Sequence, residues 1–168
     1  MCVLLSMYKI PENDWIFYAD SGCSFVQERK GQILDLVQRM EKTEHTMMAY
    51  QMKYIEETWT KADMFHFFNV QDNQEITKSG QYVGGIFFVR NTPRTRTIFK
   101  EMLSIMEKHP ALIDDTPSTL DNSKGFIEHR HDRSLFSVIR KINKDITLVV
   151  DDDTYYSSGF INASHIRN

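Results

Sequence analysis

The chain has 168 residues, 41% of them apolar and 26% charged, with a formal net charge of −3. That length suits one domain with a sizeable core, and the composition is that of an ordinary globular protein. An acidic balance argues against a nucleic-acid binder that works by phosphate neutralisation, and no run approaches the ~20 apolar residues of a membrane span.

The start, Met1-Cys2-Val3-Leu4-Leu5, has no basic lead and only a short apolar run, so it does not read as a signal peptide. Cys2 and Cys23 form neither a disulfide framework nor a metal-ligand spacing, which suits a reducing, cytoplasmic setting. Residues 2–8 predict the end of a helix or an apolar lead-in, and Pro11-Glu12-Asn13-Asp14 predicts a turn. Trp15-Ile16-Phe17-Tyr18-Ala19 is a continuous apolar run of strand length. Such a run suits a strand buried on both faces, in a mixed, mainly parallel sheet with helices on both sides. It stops at Asp20-Ser21-Gly22, where the chain turns. Ile33, Leu34, Val37 and Met40 give residues 28–41 the stripe of one helix face. Residues 46–50 predict a second strand, and residues 55–68 a helix with Thr60 or Asp63 near its start. Residues 82–89 predict a buried strand interrupted by Gly84-Gly85, the mark of a bulge or a close backbone approach. Asn91-Thr92-Pro93 turns into a helix over 95–108 that His109-Pro110 ends. Residues 114–124 form a polar loop, a helix runs from His131-Asp132 to about Lys141, and residues 146–150 are a last strand. Strands alternating with helices define an α/β layered fold, with its core at about 10–150 and a peripheral tail over 151–168.

Ligands of open α/β sheets bind beyond the carboxyl ends of strands. Asp20 stands at such an end, and Gly22 lets the backbone come close to a bound group. One carboxylate with diphosphate oxygens is enough to hold Mg²⁺ or Mn²⁺, although a plain Asp-Ser turn has the same pattern. Glu57 and Lys61 are at i,i+4, a helix surface pair worth ~0.2–0.5 kcal/mol. Alternatively, Lys61 can meet a phosphate and Trp59 can stack on a sugar or base. Gln81 with the bare backbone of Gly84-Gly85 suits hydroxyl recognition. The densest stretch is His129-Arg130-His131-Asp132-Arg133-Ser134. Asp132 or Ser134 can cap the following helix, and Asp132 can serve as general base to a hydroxyl. His131 or His129 can ligate a metal or move a proton, and Arg130 and Arg133 can balance charge on a diphosphate. No phosphate loop, nucleophile elbow, zinc or dinucleotide fingerprint occurs.

Taken in order, these pieces resemble the GT-A-type nucleotide-sugar glycosyltransferases found among bacterial and viral capsule and lipopolysaccharide enzymes. The resemblance is carried by residues 15–23, by Glu57 with Trp59-Thr60-Lys61 and Asp63, by residues 81–85 with Arg90-Asn91, and by residues 122–134. It implies a GT-A-like fold and transfer of a hexose-type sugar from a nucleoside diphosphate to a glycan or other hydroxyl acceptor. Asp20 resembles the surviving acid of an Asp-x-Asp motif that binds a divalent cation, Mn²⁺ or Mg²⁺, and the donor diphosphate; Gly22 stands where the second acid would be. Gly85 is similar to the small residue against which the donor sugar lies, and Lys61, Gln81 and Arg130 are implied as donor-side groups. Asp132, with His131, resembles the acid of a closing His-Asp-Gln-like motif beside donor and acceptor, Arg133 standing in for the Gln. The family carries a further portion ahead of the Asp20 strand, so relative to it the chain is expected to be N-terminally truncated. Two other readings stay open: a catalytically degenerate glycan- or protein-binding module, and a metal-dependent hydrolase using Asp20 with Asp132 or Asp114-Asp115. The transferase reading requires Asp20, Gly85, Lys61 and Asp132 to converge on one cleft.

Overall fold

A computed structural model describes residues 2–151 and 159–162. Helix α1 (Cys2–Met7) leads through the Pro11–Asp14 turn into β1 (Trp15–Ala19), followed by β2 (Ser24–Phe25) and α2 (Gly31–Glu41). Strand β3 (Met47–Ile55) runs into three short helices, α3 (Glu56–Trp59), α4 (Ala62–Phe67) and α5 (Gln74–Thr77). Next come β4 (Gly80–Tyr82), β5 (Ile86–Arg90), the long α6 (Pro93–Lys108), α7 (His131–Ile142), β6 (Thr147–Asp151) and β7 (Ile161–Asn162).

The main sheet is mixed, but it is antiparallel over most of its pairings. Strand β1 pairs with β5, and β4 and β5 pair with β3, all antiparallel; β6 alone among the described strands runs parallel, alongside β3. The mainly parallel sheet expected from the sequence is therefore corrected. Its premise, burial on both faces, holds for other reasons. On one face Met47, Phe87 and Val89 pack with Leu4, Met102 and Phe136. On the other, Met48, Tyr50 and Phe88 pack with Leu36, Met40 and Phe160. Cover on both sides removes apolar–polar alternation from the sequence whichever way the strands run.

Strands β4 and β5 lie end to end along one side of β3. Met47 pairs with Val89 and Gln51 with Tyr82, so four steps along β3 are matched by seven on the other side. The surplus is taken up at Val83-Gly84-Gly85, the break that the two glycines signalled. The helix expected over 55–68 is also divided. Ile55 still belongs to β3, and Thr60 and Lys61 are extended, with ψ of 124° and 152°, before α4 begins. Helix α6 starts two residues before its predicted first residue, Thr95, because Pro93 fits a first helical position and Thr92 with Thr95 forms a reciprocal capping box.

The tail is not wholly peripheral. Phe160 and Ile161 are 3% and 2% exposed, and β7 pairs with β2. The rest of the predicted tail, residues 152–158 and 163–168, lies outside the described residues. Among those described, no helix is long and apolar enough to cross a membrane.

Candidate active site

The β4–β5 break and the end of β1 meet at one point. Asp20 N–H donates to Gly85 O at 2.9 Å, which continues the β1–β5 pairing one residue past Ala19. The side chain of Asp20 then folds back over Gly85. A β-carbon built on Gly85 would sit 2.2 Å from Asp20 Oδ2, so only a glycine leaves the carboxylate this position. Gly84 does the same for α7: its β-carbon would lie 3.1 Å from Arg133 Cγ and 3.2 Å from Arg133 Cβ. The two glycines thus receive one charged side chain each.

A cavity of about 190 Å³ opens here, with Tyr18, Asp20, Gly84, Gly85, Asp132 and Arg133 on its polar side. Leu4 of α1, Phe87 of β5, Phe99 and Met102 of α6 and Phe136 of α7 form its apolar wall. The volume lies below the ~300 Å³ at which drug-sized pockets begin. It has room for a group the size of a single sugar. Asp20 and Asp132, 112 positions apart in sequence, therefore face one space.

Tyr18 was not singled out from the sequence, yet it shares a strand face with Asp20, two residues on, and the period-2 rule would have found it. Its hydroxyl donates to Asp20 Oδ1 at 2.9 Å. Burial, that bond and the nearby charge of Asp20 push the phenol up to about 12; Cys2 and Asp132 add smaller contributions of the same sign. Tyr18 is therefore a neutral donor at physiological pH. The carboxylates of Asp132 and Asp20 are both on exposed residues, and Asp132 makes no side-chain hydrogen bond or ion pair with a described residue.

Two groups expected at the cleft are elsewhere. Lys61 is 2% exposed, and its ammonium donates to the carbonyls of Ala111, Asp114 (3.2 Å) and Thr116 (3.1 Å). It fastens the 110–116 segment and leaves no proton for a phosphate. The surface pair with Glu57 does not form either, because the helix breaks between them; Glu57 pairs with Lys78 at 2.6 Å. Gln81 is 1% exposed inside a polar network: its Nε2 lies 3.0 Å from Glu56 Oε1 and 3.2 Å from both Thr60 Oγ1 and Ser134 Oγ. Glu56, 0% exposed, is further bonded by Ser137 Oγ and paired with Lys141 at 2.7 Å. This network ties α3, β4 and α7 together.

Three more residues stand near the cavity without lining it. Arg130 stacks its guanidinium 4.5 Å from the Trp59 ring centroid and pairs with Glu128 at 2.5 Å. His131 bonds Asp115 Oδ1 at 2.8 Å and opens α7 with φ 49°, a left-handed backbone that is uncommon without glycine. Gly22 lies exposed in the turn after Asp20. Neither Asp132 nor Ser134 caps α7; Ser134 Oγ instead donates to Trp59 O at 2.8 Å and accepts from Arg130 N–H at 3.3 Å. His129 is built in as a neutral ring, Nε2–H donating to Leu112 O (2.8 Å) and Nδ1 accepting from Lys61 N–H (3.3 Å). Burial lowers its pKa to about 4.

Behind the cavity wall lies Arg140, 0% exposed. Its Nη2 donates to Val83 O at 2.7 Å, next to the two glycines, and its guanidinium stacks 3.9 Å from the Phe136 centroid. Nη1 has no partner. Burial lowers this pKa to about 9, so the group stays charged at neutral pH.

Among the described residues no three His, Cys, Asp or Glu side chains converge as metal ligands. Asp20, alone or with Asp132, still fits a hard divalent ion of the Mg²⁺ or Mn²⁺ kind, because such an ion takes most of its ligands from water and phosphate oxygens.

No protein-family model matches the chain, and no curated protein matches it. Among solved structures, the crystal structure of mouse xyloside xylosyltransferase 1 in its apo form is similar, with a TM-score of 0.50 at 10% identity. The match covers 97% of this chain and 61% of that one, so the chain spans about three-fifths of that protein's length. At that identity the likeness concerns the fold: a mixed α/β arrangement resembling a GT-A transferase.

Proposed function

We propose that the protein transfers a sugar from a nucleoside-diphosphate sugar to a hydroxyl of a glycan or other acceptor. The observation that carries this reading is the shared cavity of Asp20 and Asp132 over Gly84-Gly85, on a fold resembling a GT-A transferase. Asp20, held by Tyr18 and open to solvent, takes the donor side, with a divalent cation and the diphosphate. When bound, that ion stabilises the charge that develops on the leaving diphosphate. The sugar occupies the cavity. Asp132, whose side chain has no partner among the described residues, accepts the proton of the acceptor hydroxyl as its oxygen bonds to the anomeric carbon and the diphosphate leaves with the electron pair.

A second reading, a binding module that keeps the fold without turnover, draws support from the loss of Lys61 and Gln81 to structural roles. Calorimetric titration with UDP and GDP, each with and without Mn²⁺, separates the two. The transferase reading expects metal-dependent binding that Asp20→Asn abolishes. Absence of nucleotide binding by folded protein would overturn it.

A further inference from the structure

Arg133 differs from most other arginines of the fold. Arg94 and Arg96 pair with Asp145 and Glu12, Arg130 with Glu128, and Arg140 bonds backbone carbonyls. Arg133 lines the cavity, and its guanidinium makes no hydrogen bond or ion pair with any described residue, although Asp20 and Asp132 line the same space. Its stem is fixed, because Cβ and Cγ lie in the slot that Gly84 leaves. Asp20 is engaged elsewhere: Oδ1 takes the Tyr18 hydroxyl and Oδ2 lies on Gly85. A second cation backs the first. Arg140 sits behind Phe136, a wall residue, buried from solvent and with Nη1 unpartnered among the described residues.

A planar guanidinium held at its stem and free at its head pairs in a bidentate way with a carboxylate or a phosphate. The cavity is sized for one sugar, and Asp20 at the rim already serves the diphosphate in the reading above. The anion that meets Arg133 is then on the sugar itself. We infer that the sugar taken into this cavity carries a carboxylate, as in a uronic acid, and that Arg133 is the residue that selects it. The inference rests on the donor reading for the sugar's position.

The test compares UDP, UDP-glucuronate and UDP-glucose, and GDP, GDP-mannuronate and GDP-mannose, on the wild-type protein, Arg133→Gln and Arg133→Lys. Free glucuronate and glucose are titrated by NMR in parallel. A charge-assisted pair predicts at least roughly a tenfold preference for the uronate. Arg133→Gln should abolish that preference, Arg133→Lys should keep part of it, and affinity for the bare nucleotide should not change. Equal affinity for the two sugars, or a preference that survives Arg133→Gln, would overturn the inference and leave nucleotide binding standing. If no nucleotide binds, the donor reading fails, and the free sugars decide: an Arg133-dependent preference for glucuronate supports an acidic-sugar site, and its absence removes it.

Discussion

His129 makes the fold sensitive to acid over a defined range. Its ring joins two segments, with Nε2–H on Leu112 O and Nδ1 receiving the N–H of Lys61. Burial disfavours the charged ring, with the nearby charges of Lys61 and His131 acting in the same direction, so the folded state resists the proton until about pH 4, against 6.5 for a free imidazole. Between these values the unfolded chain binds a proton that the folded chain does not. Stability is therefore fully present above pH 6.5 and is lost as pH falls towards 4, with no further loss from this group below that. At ~1.4 kcal/mol for each tenfold change in proton affinity, the loss is at most ~3 kcal/mol, and partial exposure of the ring to solvent reduces it to ~1–2 kcal/mol. Urea unfolding at a series of pH values from 7 to 4 measures it. His129→Gln offers a donor and an acceptor but does not titrate. Its stability should fall less over this range, by about the stated amount. Equal slopes for the two proteins would refute the reasoning.

Gly85→Ala would place a methyl 2.2 Å from Asp20 Oδ2. Asp20 cannot retreat, because its N–H is bonded to Gly85 O, so the carboxylate must rotate off Tyr18. The cost should be only ~1–2 kcal/mol in stability, but metal-dependent nucleotide binding should fall at least tenfold by calorimetry. Lys61→Met should destabilise the 110–116 segment, seen as faster amide exchange there, and leave nucleotide affinity unchanged. A selective loss of affinity would return Lys61 to the donor site. Lys141→Met leaves Glu56 buried without its cation, and urea unfolding should show a loss of ~3 kcal/mol or more; a loss under ~1 kcal/mol would mean that Ser137, Thr60 and Gln81 satisfy the carboxylate alone.

The elements most legible in the sequence were those with one-sided periodicity or clear punctuation. The stripe of α2, the stop at His109-Pro110 and the glycine break before β5 were all placed from it. Strand direction was not legible: a run such as Trp15–Ala19 records that both faces are covered, and α1 and α6 on one side with α2 on the other cover them in an antiparallel sheet. Asp20, Gly85 and Asp132 line one cavity, and Lys61, the fourth residue expected there, is buried outside its lining. Lys61 and Gln81 looked like ligand groups because a polar residue in a sequence carries no sign of being buried. Their partners, the carbonyls of 111–116 and the carboxylate of Glu56, are long-range and can be seen only in three dimensions. Arg140 was hidden in the same way, inside an amphipathic helix whose last turn normally points basic groups at water.

The central claim is that Asp20 and Asp132 serve one reacting ligand in different roles, and the separation of binding from turnover tests it most directly. Release of nucleoside diphosphate from a panel of UDP- and GDP-sugars, with Mn²⁺ and mixed glycan acceptors, should be followed for the wild-type protein and Asp132→Asn. The account predicts that Asp132→Asn binds the preferred donor within a few-fold of wild type but turns it over ~10²–10⁴ times more slowly, the usual contribution of a positioned base. Turnover that is unaffected by Asp132→Asn, or no turnover from wild-type protein that binds the donor, would contradict it.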